Sequence, residues 1–155
     1  MKKLVYLCVA ICFSTLATAQ KVTQADLQGT WKMISFAGGG VNVDVLAEKF
    51  TVDPEIEKQL TAETKQQMEL GMLQAMEMFK ESYAVIDGAN LKQSMGPQEQ
   101  KGTFTMKEQD GKQFLVLTVA GAPATEDLGV SIVDKKLHIT QGAPGDAATF
   151  IYVKQ

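Results

Sequence analysis

Two hydrophobic periods divide this chain. From residue 83 onward, apolar side chains come in short runs separated by turn residues, many of them alternating with polar ones, which is the grammar of antiparallel strands. Residues 83–86 lead into the turn pair Asp87-Gly88 and a second strand at 90–95, and Gly96-Pro97 marks a loop. Residues 102–109 alternate, with Phe104 and Met106 on one face and Thr103, Thr105 and Lys107 on the other. Asp110-Gly111 is a strong two-residue hairpin signal. Residues 113–120 are apolar on both faces, residues 128–133 and 136–140 form a hairpin around Asp134-Lys135, and residues 148–154 make the last strand. Loops are expected at 121–126 and 142–146. Upstream, residues 29–36 read as a first strand, and Gly38-Gly39-Gly40 reads as a flexible connector.

Between the first strand and the rest, the period changes to that of a helix. Asp53-Pro54 is a helix start, an N-cap followed by proline at the first helical position. Thr61 caps a longer helix reaching about Ser82. Met68, Met72 and Met76 recur every four residues there, with Leu73 and Phe79 beside them, so one face is apolar. Glu63, Lys65, Gln66, Glu69, Glu77 and Lys80 fill the other faces, and Gly71 costs about 1 kcal/mol relative to alanine. Residues 21–28 are polar and fit either a lead-in or one helical turn. The total is about eight strands with helices between strands one and two. An antiparallel meander of this kind closes to remove its edges. An eight-stranded barrel is either filled by side chains or holds one small ligand. The predicted class is therefore mainly β: an up-and-down meander closing into a barrel, in a single domain.

The N-terminus changes the compartment. Lys2 and Lys3 precede an apolar run over residues 4–16, and Ala17-Thr18-Ala19 is a small-x-small site, the pattern of a secretory signal peptide. The run is shorter than the ~20 residues a membrane-spanning helix needs. The expected division is thus residues 1–19 as signal and 20–155 as an exported domain, periplasmic or extracellular, with no membrane span after cleavage. Cleavage leaves 136 residues with 13 lysines against 18 acids, a net charge of −5. Both cysteines, Cys8 and Cys12, leave with the signal, so the mature chain must be stabilised by a hydrophobic core and not by disulfides. The chain has no arginine, which with its acidic balance argues against nucleic acid as a partner.

The stretch Leu27-Gln28-Gly29-Thr30-Trp31-Lys32-Met33 resembles the first strand of the calycins, the group containing lipocalins and fatty-acid-binding proteins. Length, signal and the early Gly-Thr-Trp look most like secreted bacterial lipocalin-like domains. The resemblance implies that Trp31, next to Gly29, closes the barrel floor beneath a basic residue from near the C-terminus; here Lys154 is the available candidate. A lysine over an indole is a cation–π contact. The helix placement also resembles the lid of fatty-acid-binding proteins. Phe150 stands about where such a protein would carry a carboxylate-binding arginine, so that clamp is absent.

The remaining residues restrict the chemistry. His138 is the only histidine, which leaves neither the usual zinc ligand sets nor a Ser-His-Asp or Cys-His triad. Glu55, Glu57, Glu63 and Glu69 are mixed with Lys58 and Lys65, as on a solvated helix face. Neither a calcium loop nor a phosphate loop occurs, and no cofactor or metal is expected. Methionine suits adaptable apolar pockets. The methionine row is either core plugging one barrel end or a lid over a cavity. Met68, Met72, Met76, Phe104 and Met106 are the candidate ligand-binding residues. Two functions follow: a non-catalytic binder of an apolar small molecule or lipid, or a protein-interaction module with a filled core. A continuous cavity above ~300 Å³ would favour the first.

Overall fold

The computed structural model of the chain describes residues 21–119, 121, 125–143 and 145–155. The expected signal segment and cleavage site lie outside the described residues, as do Ala120 and parts of the loops around 121–126 and 142–146. Ten strands and three helices are formed in the order α1 (Gln24–Leu27), β1 (Gly29–Gly38), β2 (Val41–Asp44), β3 (Lys49–Val52), α2 (Pro54–Glu57), α3 (Ala62–Lys80), β4 (Tyr83–Asp87), β5 (Asn90–Met95), β6 (Gln98–Gln109), β7 (Lys112–Val119), β8 (Thr125–Val133), β9 (Lys136–Gln141) and β10 (Ala148–Lys154). From β4 to β10 each strand pairs antiparallel with the next; β4 also pairs with β1, and β10 returns to β1. Eight strands thereby close a barrel, as the hydrophobic pattern predicts, with α2 and α3 inserted between its first two strands.

The two additional strands follow the glycine run, in residues 41–52, to which the hydrophobic pattern assigns no element. Gly39 and Gly40 both have positive φ, 58° and 75°, and form the two-residue turn of a β1–β2 hairpin. The glycine run is therefore a tight turn and not a flexible connector. Two consecutive left-handed residues suit the right-handed strand twist, and glycine adopts them without a Cβ penalty. The other departures are at strand ends. β6 begins at Gln98, four residues before the expected 102, and β8 begins at Thr125 rather than 128. Gln98, Glu99, Gln100 and Lys101 are all exposed, so this part of the strand carries no burial alternation to read.

One irregularity in β1 shapes the whole molecule. Along its first half, β1 pairs with β4, from Gly29 opposite Ile86 to Lys32 opposite Tyr83. Along its second half it pairs with β2 instead, from Ser35 opposite Asp44 to Gly38 opposite Val41. The exchange falls at Met33, whose N–H donates to the Ser82 carbonyl (3.0 Å), and Ile34, whose carbonyl accepts from Val45 N–H (2.9 Å). The register with β10 also shifts between Met33 and Ser35, leaving Ile34 as the extra residue of a bulge. The sheet thus forks. Below the fork it closes tightly; above it, the β2–β3 hairpin and α3 take the place of β4.

Inward positions alternate with outward ones around the barrel. Trp31, Met33, Ala84, Ile86, Leu91, Phe104, Leu115, Leu117, Leu128, Val130, Leu137, Ile139, Phe150 and Tyr152 belong to one buried apolar cluster. Outside, Phe114 stands opposite Gly129, where an aromatic ring can cover the missing side chain. The β8–β9 turn is less comfortable. Asp134 and Lys135 have φ of 51° and 62°, a conformation that favours glycine at the second position. Lys135→Gly should raise stability by about 0.5–1 kcal/mol in urea unfolding, because it relieves this strain without touching the core; no gain would mean the turn is not strained.

Candidate functional site

The barrel has a floor and a mouth, and the two are built differently. At the floor, the Thr23 side chain accepts from Asp26 N–H and the Asp26 carboxylate accepts from Thr23 N–H, a complete capping box on α1. The short helix is held to two hairpin tips. Gln28 accepts from Gly88 N–H (2.7 Å), and Gln24 donates to the Gly88 carbonyl (2.8 Å). Gln113 grips Val22 through both its backbone groups, accepting from the N–H (2.7 Å) and donating to the carbonyl (2.8 Å).

Within this frame the three residues assigned to barrel closure stand together. Trp31 is 2% exposed, and its indole N–H donates to the Leu27 carbonyl at 2.7 Å. Lys154 Nζ lies 5.3 Å from the indole centroid. A Cβ on Gly29, which has φ of 118°, would sit 3.0 Å from Lys154 Cε, so glycine leaves room for the lysine stem. The Thr23 hydroxyl and N–H, with Lys154 nearby, hold the Asp26 carboxyl below its ordinary range.

The mouth is covered by α3, capped by Thr61. Met76 and Phe79 are buried, and Met72, Ala75 and Met78 are half-buried against the core cluster. Phe36 stacks on Phe79 with centroids 5.5 Å apart and meets Phe150 at 5.3 Å. Leu73, expected on this apolar face, is instead 55% exposed on the far side with Leu70. At 100° per residue Leu73 lies well round the helix from the line through Met68, Met72 and Phe79, beyond Met76, and so falls outside the barrel-facing side. Polar contacts tether the helix ends: Lys65 pairs with Glu57 at 2.9 Å and Lys80 with Glu48 at 3.0 Å, while Lys80 also pairs with Glu77 of the same helix at 2.7 Å.

The candidate ligand-binding residues are not brought together. Met68, Met72 and Met76 lie on α3 at the mouth, and Phe104 is buried within the barrel. Met106 faces inward near the floor, one inward pair from Glu108–Gln113. Two concavities stand out among the described residues, and neither lies in the barrel interior. One of about 200 Å³ is lined by Thr30, Lys32, Lys80, Glu81, Ser82, Tyr83 and Gln155 on the barrel's outside. The other, about 70 Å³, lies beside the floor at Lys21, Val22, Asp26 and Ile132. Trp31, Phe104, Phe150 and Tyr152 belong to the buried cluster inside the barrel.

Several residues that shape the two ends carry no strong sequence signal. Gln113 looks like a strand-edge polar residue until its partner, Val22, is known to lie across the floor. Gln93 donates to the Tyr152 hydroxyl at 3.0 Å, a polar pair within an apolar barrel. Burial raises the Tyr152 phenol well above its ordinary range. Phe36 reads as a strand end, yet it joins α3 to β10. Among the described residues no group of three or more His, Cys, Asp or Glu stands close enough to hold a metal. His138 faces outward on β9 between Ser131 and Ile151. Comparison with models of known protein families and with curated protein sequences found no match.

Two predictions test this arrangement. Lys154→Met, which keeps an apolar stem over the ring but removes the charge, should lower stability by about 0.5–1 kcal/mol, while Lys154→Arg, which keeps the charge, should lose less; unchanged stability in Lys154→Met would remove any role for the charge. The second concerns His138, whose pKa is lowered first by burial and then by Lys136, with Asp134 opposing. The unfolded chain then binds the proton more readily, so stability should fall as pH drops below about 6.5 through the lower folded value. His138→Gln should flatten that slope in urea unfolding at a series of pH values between 7 and 5.

Proposed function

We propose that this chain is an exported, non-catalytic binding protein of the lipocalin-like kind that takes an apolar small molecule or lipid at the barrel mouth, beneath α3. The supporting observation is the contrast between the two barrel ends. The floor is fastened by directional hydrogen bonds, whereas the mouth is covered by methionine and phenylalanine side chains on one helix. Phe36, Phe50, Met72, Met95 and Val119 are half-buried apolar residues packed against the core, and by register they lie toward the mouth. Thioether chains repack at low cost around guests of different shape. A guest inserted there would gain about 25 cal/mol for each Å² of apolar surface it buries. The two concavities described lie outside the barrel interior and are smaller than the ~300 Å³ of a typical central cavity, so the site is placed at the rim. The Gly-Thr-Trp start and the lysine over the indole agree with the calycin resemblance. The expected export rests on the N-terminal pattern alone.

A second reading is favoured by the outer side of α3, where Leu70 and Leu73 are 58% and 55% exposed. With a filled barrel, these residues would contact a protein partner instead. Titration with the neutral apolar fluorophore N-phenyl-1-naphthylamine separates the two. Saturable enhancement, weakened about tenfold by Met72→Lys but unchanged by Leu70→Ser with Leu73→Ser, is expected. No saturable binding by a protein with native near-UV circular dichroism would overturn the mouth site and leave the protein-interaction reading.

A further inference from the structure

We infer that Met72 and Met78 form an oxidation-sensitive latch, at which hydrogen peroxide releases α3 from the barrel mouth. The step is a two-electron oxygen transfer. A thioether lone pair attacks one peroxide oxygen, the S–O bond forms as the O–O bond breaks, and the proton of the transferred oxygen passes to the departing hydroxide, which leaves as water. Sulfur is oxidised to the sulfoxide and the peroxide is reduced.

Three observations carry the inference. First, cysteine occurs only at positions 8 and 12, so sulfur oxidation within residues 21–155 falls on methionine. Four of the methionines, Met68, Met72, Met76 and Met78, lie within eleven residues of α3. Second, their access is graded. Met68, Met72 and Met78 are half-buried, whereas Met76 is 3% exposed and Met33 fully buried. Solvent-reachable thioethers are the ones that react.

Third, the contact is intolerant of added oxygen. The barrel-facing apolar contact of α3 consists of Met72, Ala75, Met76, Met78 and Phe79, so methionine supplies most of it. Met78 lies flush on the β5–β6 turn. A Cβ placed on Gly96 would stand 2.5 Å from Met78 Cγ and 3.3 Å from its sulfur. A sulfoxide oxygen there needs space the turn does not offer, and at Met72 it sets a strong dipole against apolar neighbours. The ion pairs that tie α3 to its neighbours, Lys65–Glu57 and Lys80–Glu48, lie at the surface and have little strength. The inference does not depend on whether the mouth takes a ligand.

The test treats the mature protein with graded hydrogen peroxide, maps sulfoxides by peptide mass spectrometry, and follows amide hydrogen exchange across residues 62–80. Met68, Met72 and Met78 should oxidise before Met33 and Met76. Exchange in α3 should accelerate about tenfold or more while β7 and β9 stay protected. Methionine sulfoxide reductases A and B together should restore it. A double variant, Met72→Leu with Met78→Leu, keeps the apolar packing and should make α3 exchange insensitive to peroxide even though Met68, Met95 and Met106 still oxidise. Unchanged α3 exchange after Met72 and Met78 are fully oxidised in the wild-type protein would overturn the proposal. So would a persisting peroxide response in the double variant. The wild-type measurement decides the matter even if the variant folds poorly.

Discussion

The structure depends on how β1 is shared. One ten-residue strand keeps β10 on one side and exchanges β4 for β2 on the other, with a bulge at Ile34 where the exchange occurs. Closure through β1 and β10 removes the edge a meander would otherwise expose. Above the fork β1 no longer pairs with β4, and α3 packs over the core there. Branching into the β2–β3 hairpin creates the opening that α3 covers.

From that asymmetry follows a division of labour between the ends. Directional contacts hold the floor: an indole N–H on a buried carbonyl, a glutamine gripping both backbone groups of Val22, and glutamines of α1 around Gly88. Such bonds have narrow geometric tolerance and favour one arrangement. Apolar side chains with many rotamers hold the mouth, and dispersion between them tolerates rearrangement. The rigid end thus defines the barrel, while the adaptable end is where recognition and chemical modification are proposed.

The interior explains why binding is placed at the rim. An eight-stranded barrel is narrow enough for its own side chains to fill, and here residues as large as Trp31, Phe104, Phe150 and Tyr152 point inward. The Gln93–Tyr152 hydrogen bond inside adds specificity to the packing, since a buried hydroxyl without a partner would be costly. Above it lies the layer where Phe36, Phe79 and Phe150 meet.

The barrel was legible because burial on one face of a strand writes a period of two into the sequence, and turn residues such as Asp110-Gly111 punctuate it. The helix starts were equally plain, since Asp53 and Thr61 act through local hydrogen bonds. By itself the sequence determined the antiparallel meander, the helical insertion and the sole indole at the start of β1. Local patterns could not settle contacts made across the fold. Whether Gly39-Gly40 turns a hairpin depends on β2 finding β1, and whether Leu73 is buried depends on which side of α3 the mouth accepts. Met106 and Phe104 share a strand face, yet the barrel's length places Met106 near the floor and far from α3. Whether the barrel is hollow is set by the summed volumes of side chains converging from eight strands, a property of their packing in space that no single segment contains.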